Sequence, residues 1–169
     1  MFKNIPPKFI SCLAIAVIVL STLSSCGIGL IIRGAAKNSL SVKKGTVPTD
    51  FIAKDQTLIV LLWGDRSYDK YVKKAFNKFY TGKKKFVTFS DLKNNEEYQD
   101  LDKYPFVYSQ GPGDLEMYEG TSYSYTFSGS RPFHIFDRRS KTFYRPKFRS
   151  GFFGRVMQGH AKALSAYVK

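Results

Sequence analysis

Beyond residue 26 the chain contains no cysteine; its two cysteines, Cys12 and Cys26, both lie near the amino terminus of the 169 residues. Everything downstream is thereby barred from disulfides, thiol nucleophiles and thiolate metal centres. Histidine is equally scarce, with His134 and His160 alone. A catalytic or metal-binding pair would need the two close together and joined by carboxylates. His134 falls in an apparent strand with Asp137 three residues on, which puts their side chains on opposite faces. His160 falls on an apolar helical stripe, a core or boundary position. A Gly-x-Ser-x-Gly nucleophile motif is missing. So is a glycine-rich phosphate loop, since Gly27 and Gly29 have no strand before them. Acids are few, 13 against 27 Lys and Arg, for a net charge of +14. The one acidic cluster, Glu96, Glu97, Asp100 and Asp102, reads as a solvated helix face; holding Ca²⁺ would require a loop to converge several of its oxygens. No catalytic residue, no metal and no cofactor is expected.

The amino-terminal segment carries the most specific signal present. Lys3 and Lys8 form a positive start, and "FISCLAIAVIVLSTL" follows without a charge. That is the layout of a signal peptide. It ends in Leu23-Ser24-Ser25-Cys26, which resembles the bacterial lipobox: a branched aliphatic residue, two small residues that fit a peptidase site, and a cysteine whose thiol accepts a diacylglycerol. The resemblance implies residues 1–25 as a lipoprotein signal peptide and Cys26 as the lipidated first residue of the mature protein. A rival reading is an uncleaved signal anchor. The uncharged stretch runs on to Ile32, 24 residues between Lys8 and Arg33, and about 20 suffice to span a bilayer. Both readings tether the rest of the chain beyond the inner membrane. The first places it on the outer membrane facing the periplasm; the second leaves it on the inner membrane with a periplasmic domain.

Removing residues 1–25 takes away Lys3 and Lys8 and no acid, so +14 becomes +12. Such a surplus favours anionic partners. Residues 26–50 read as a lipidated tether, polar and broken by Gly34, Gly45 and Pro48. A flexible chain of that length reaches roughly 25–30 Å. The domain then occupies 51–169.

Within it, "QTLIVLLWG" is a short apolar run ending at glycine, the pattern of a strand buried on both faces. "DRSYDKYVKKAFNKFYTG" places Tyr68, Tyr71, Val72, Ala75, Phe76 and Phe79 at helical spacing, with Ser67 as the expected N-cap and Gly82 as the stop. "KFVTFS" alternates as a strand, and "DLKNNEEYQDL" forms a short helix capped by Ser90 or Asp91. "YPFVYSQ", "SYSYTFS" and the two arms of "FHIFDRRSKTFYR" supply four further strands. "GFFGRVMQGHAKALSAYVK" closes the chain as a helix whose stripe includes Phe152, Phe153, Val156, Met157 and Leu164. The order β-α-β-α-β-β-β-β-α predicts an α/β (α+β) fold: a single mixed sheet with helices packed on it.

Three segments, "TLIVLLWGDRSYDKYVKKAFNKFY", "KFVTFSDLKNNEEYQDLDKYPFVYSQ" and "FHIFDRRSKTFYR", give the domain the look of the small α/β lipoprotein domains related to the amino-terminal domain of TolB and to the curli-secretion lipoprotein. The likeness includes a second strand that leads into a Ser-x-Leu helix start, here Ser90-Asp91-Leu92. It implies an envelope protein with a non-enzymatic binding or assembly role. No functional residue carries over with it.

Between Ser128 and Lys169 ten basic residues stand against Asp137 alone. Six of them, Arg138, Arg139, Lys141, Arg145, Lys147 and Arg149, are interleaved with Phe136, Phe143, Tyr144 and Phe148. They are the candidate anion-binding residues, for a phospholipid headgroup or lipopolysaccharide. In another compartment the same texture, with "GFFG" outlining a backbone clamp, would suggest single-stranded nucleic acid; the signal segment argues against that partner. The expected function is a membrane-anchored envelope lipoprotein that binds or assembles at the membrane, with other envelope proteins among its candidate partners. The alternatives are a wall or glycan hydrolase and a basic nucleic-acid-binding domain.

Overall fold

Strand β1 (Leu58–Leu62) is buried at every position, because it lies second in a five-stranded sheet ordered β2-β1-β3-β4-β5 and has helices on both of its faces. A computed structural model describes residues 27–51, 56–111 and 132–168. The described helices are α1 (residues 27–39), α2 (Arg66–Phe79), α3 (Phe89–Asn94) and α4 (Phe153–Ser165). The remaining strands are β2 (Lys84–Thr88), β3 (Phe106–Gln110), β4 (Phe133–Asp137) and β5 (Thr142–Tyr144). Strand β1 pairs in parallel with β2 and β3, and the chain then returns antiparallel through β4 and β5. This is the expected mixed α/β sheet, and the described elements follow the expected order. "SYSYTFS", Cys26 and the signal segment lie outside the described residues.

Pleating divides β1 between two cores. Leu58, Val60 and Leu62 join Tyr68, Val72 and Phe76 of α2 and Val156, Met157 and Leu164 of α4. Ile59 and Leu61 face the other way, onto Leu92, Tyr104, Val107 and Phe136. The crossover through α2 covers one face and the return through α3 covers the other, as alternate crossovers from a central strand require. Lys84 and Lys85 sit on edge strand β2, where charge discourages pairing with another chain.

Caps differ in detail from expectation. Helix α2 is capped by Asp65, not Ser67: its carboxylate accepts from the Tyr68 N–H at 2.6 Å. Asp69 turns back to accept from the N–H groups of Trp63 and Gly64, at 3.0 and 3.2 Å. Those two bonds fix the strand-to-helix turn, where Gly64 takes φ +76°. Helix α3 is capped by Thr88, ahead of Ser90 and Asp91.

The larger departure is at residues 27–50, within the stretch read as a flexible tether, together with Phe51 at the domain's first position. There α1 is helical, and Ala36, Leu40, Val47 and Phe51 enter the same core as α2 and α4. The turn that follows is closed by Thr46, whose Oγ1 donates to the Ser39 carbonyl at 2.9 Å and accepts from the Ser41 N–H at 2.8 Å. Gly45 supplies the left-handed residue at φ +64°. Polar composition hid the segment, because only one narrow side of α1 is buried. That side meets α4 at Gly159, where a side chain would strike Arg33 and Ala36.

Helices α1, α2 and α4 run the same way. Tyr71 meets Phe153 edge-on at 5.4 Å near the starts of α2 and α4. The Thr81 N–H donates to the Ser165 Oγ at 2.8 Å near their ends. Arg155 lies against Gly29, among the first described residues of α1. The starts of α2 and α4 and the first described turn of α1 therefore lie at one end of the described structure.

Candidate functional site

The six candidate cations do not form one surface. Arg138 is half-buried, and its Nη1 donates to the carbonyls of Tyr98 and Tyr104 at 2.5 and 3.1 Å. It thereby closes the turn before β3 onto the end of β4. Arg139 pairs with Asp50 and Asp137 and lies 5.1 Å over the Phe106 ring. Lys141 holds the left-handed position of the β4–β5 turn, at φ +54°. The Arg145 guanidinium stacks over Phe143 at 4.8 Å. Lys147 and Arg149 are exposed. Two members meet at one place: Arg145 and Lys147 line an open cleft of about 510 Å³ together with Ser39, Lys44, Gly45, Thr46 and Phe148. Lys44 was hidden in the supposed tether. One of its three ammonium protons is already directed at the Asn38 carbonyl, at 2.6 Å.

Beneath this cleft lies a buried polar chain. His160 is fully buried; its Nδ1 is 3.0 Å from the Tyr108 Oη and its Nε2 is 3.4 Å from the Ser39 Oγ. The Ser39 hydroxyl spends its one proton on the Ala36 carbonyl at 2.7 Å. The imidazole must then donate from Nε2 to Ser39, and Nδ1 accepts from Tyr108. Burial pushes the His160 pKa down to about 3. A histidine that presents N–H to a hydroxyl whose proton is already committed cannot activate that hydroxyl. The arrangement knits α1 and α4 to the sheet. His134 is buried on the opposite side, edge-on to Phe143 at 5.3 Å. Burial, helped by the Arg145 charge, lowers its pKa to about 3 as well.

The acidic cluster serves local structure. Glu97 accepts from Lys85 and, at 2.7 Å, from the Tyr104 hydroxyl. Asp100 Oδ1 accepts from the N–H groups of Asp102 and Lys103. Among the described residues no three His, Cys, Asp or Glu side chains come together as metal ligands would.

A different feature stands out where α2 and α4 start beside the first described turn of α1. Among the described residues six large apolar side chains are exposed, and five of them are here: Ile28, Leu30, Ile31, Tyr71 and Phe152. Ile31 is 72% exposed and Phe152 is 60% exposed. Between α2 and α4 an open recess of about 540 Å³ is walled by Tyr71, Phe152 and Phe153 and edged by Lys74 and Arg155. Tyr71 and Phe152 fit the apolar helical periodicity, which marks them as core. Phe152 instead precedes the first turn of α4 as its N-cap, and Tyr71 lies on the flank of the α2 stripe against Phe153 while Tyr68 and Val72 take the core.

Among the described residues no helix is long and apolar enough to cross a membrane. No protein-family model matches the chain, and no curated protein or solved structure matches it significantly.

Proposed function

We propose that this chain is an envelope lipoprotein, held on a membrane through acylated Cys26, whose α/β domain has a binding or assembly role at the bilayer and no catalytic one. The observation that carries this reading is the placement of α1. Its described residues run on directly from position 26, and the segment is packed into the domain core through Ala36 and, just past the helix, Leu40. An anchor on residue 26 would thus be coupled directly to the folded body. The end it enters is the one where apolar and basic side chains are exposed together. The non-catalytic part is supported by the hydrogen bonding of Ser39 and His160, which leaves that pair no nucleophile. Anionic lipid or lipopolysaccharide is the partner that suits the net positive charge.

The test is metabolic labelling of Cys26→Ala in a bacterial host with radioactive palmitate. The expected result is loss of label with accumulation of unprocessed precursor. Normal processing and membrane partitioning with undiminished label would overturn the lipobox.

A further inference from the structure

We infer that the end formed by the first described turn of α1 and the starts of α2 and α4 rests on anionic phospholipid headgroups, with Ile31 and Phe152 entering the interface and Lys74 and Arg155 meeting the phosphates; this rests on the anchor reading above. Distance makes the case. Ile28, Leu30 and Ile31 follow Cys26 by only two, four and five residues in the sequence, and a helix rises about 1.5 Å per residue. A headgroup layer is about 5–8 Å deep on each side of the hydrocarbon. These three side chains therefore fall inside the interface if residue 26 carries the lipid. Under the signal-anchor alternative they fall at the same level, since the uncharged run ends at Ile32.

The other two helices bring their own residues to that level. Arg155 is pressed against Gly29, with a Cβ there coming 3.0 Å from its Nε. Phe152, one turn earlier in a helix parallel to α1, is at least as close to the membrane. Tyr71 is fixed beside it: a Cβ on Gly154 would touch its ring at 3.1 Å. Charge matches the surface. Arg66 and Lys70 are exposed in the first turns of α2, ahead of Lys74. Of the described acids at that end, Asp65 and Asp69 have their carboxylates turned onto backbone N–H groups, and Asp91 at the start of α3 accepts from the Thr88 Oγ1. Aromatic side chains with a ring of cations are what an interfacial surface needs, the rings for the boundary and the cations for phosphate. Such a surface fixes the domain's orientation, with the 100–103 turn pointing away. That turn lies at the far end of the sheet, where the Thr57 N–H donates to the Lys103 carbonyl at the start of β1.

The test uses the whole acylated protein, which retains no free thiol when Cys26 is modified. Phe152→Cys, Ile31→Cys and, as reference, Asp102→Cys each receive a nitroxide label. The proteins are placed in vesicles of phosphatidylcholine with phosphatidylglycerol, and collisions with oxygen and with a water-soluble nickel chelate are compared. The expected oxygen-to-nickel ratio is several-fold higher at positions 152 and 31 than at 102, and it falls at 152 when phosphatidylglycerol is omitted. Equal ratios at the three positions, in protein that still floats with the vesicles, overturn the docking and leave the anchor intact. Labels at 152 shielded from both reagents also overturn it and assign the surface to another protein. Failure to float overturns the anchor and the docking with it.

Discussion

A Cβ placed on Gly159 would lie 2.7 Å from the Cβ of Ala36 and 2.5 Å from the Arg33 carbonyl oxygen, so α4 meets α1 backbone against backbone. No side chain fits between them. The helix that follows Cys26 is thereby part of the domain.

Gly159→Val should therefore push α1 off the core. Overpacking a tight contact costs about 1–3 kcal/mol, which exceeds the gain of about 1 kcal/mol from removing a helical glycine. The urea midpoint of the full chain should fall, and proteolysis within 33–39 should accelerate. Gly34→Ala is the matched control, since nothing lies within 4 Å of its Cβ. It should be stabilising by up to about 1 kcal/mol.

Stability should decline as pH falls below 6.5. Both histidines have folded-state pKa values lowered from 6.5 to about 3. The unfolded chain then binds protons that the folded one refuses, and stability drops from pH 6.5 down towards 3. Each histidine contributes about 1.4 kcal/mol per pH unit within that window. Urea denaturation at pH 7.5 and pH 5 measures the slope. His160→Gln should be less stable at pH 7.5 and lose less on acidification; an unchanged slope would contradict the neutral, buried imidazole.

Arg138 should matter for folding and not for anion binding. Arg138→Met leaves the carbonyls of Tyr98 and Tyr104 without their donor, at about 1–3 kcal/mol. Thermal unfolding should register that loss, while retention on anionic vesicles stays as in the wild type. A variant of full stability with weakened vesicle binding would return Arg138 to the anion-binding set.

Much of the fold was legible because its signals are local. The "TLIVLL" run marks a strand covered on both faces, the α2 stripe keeps its period over three turns, and "FHIFDRRSKTFYR" turns at its polar centre. The segment 27–51 was not legible. Its buried residues, Ala36, Leu40, Val47 and Phe51, are too sparse to show a period, and the gap that receives α1 is made by Gly159, far along the chain. The partners of the basic segment were hidden for a related reason. Charge density is visible in sequence, but the partners of Arg138 and Arg139 are backbone carbonyls and Asp50, which only folding brings near. Tyr71 and Phe152 obey the apolar period and are nevertheless exposed, because the period does not show that Tyr71 falls on the flank of its stripe or that Phe152 precedes the helix as its N-cap.

Mass spectrometry of the purified native protein tests the anchor most directly. The mature chain should begin at residue 26, its sulfur in thioether linkage to a diacylglyceryl group. A chain that retains Met1 and an unmodified Cys26 sulfur would contradict it.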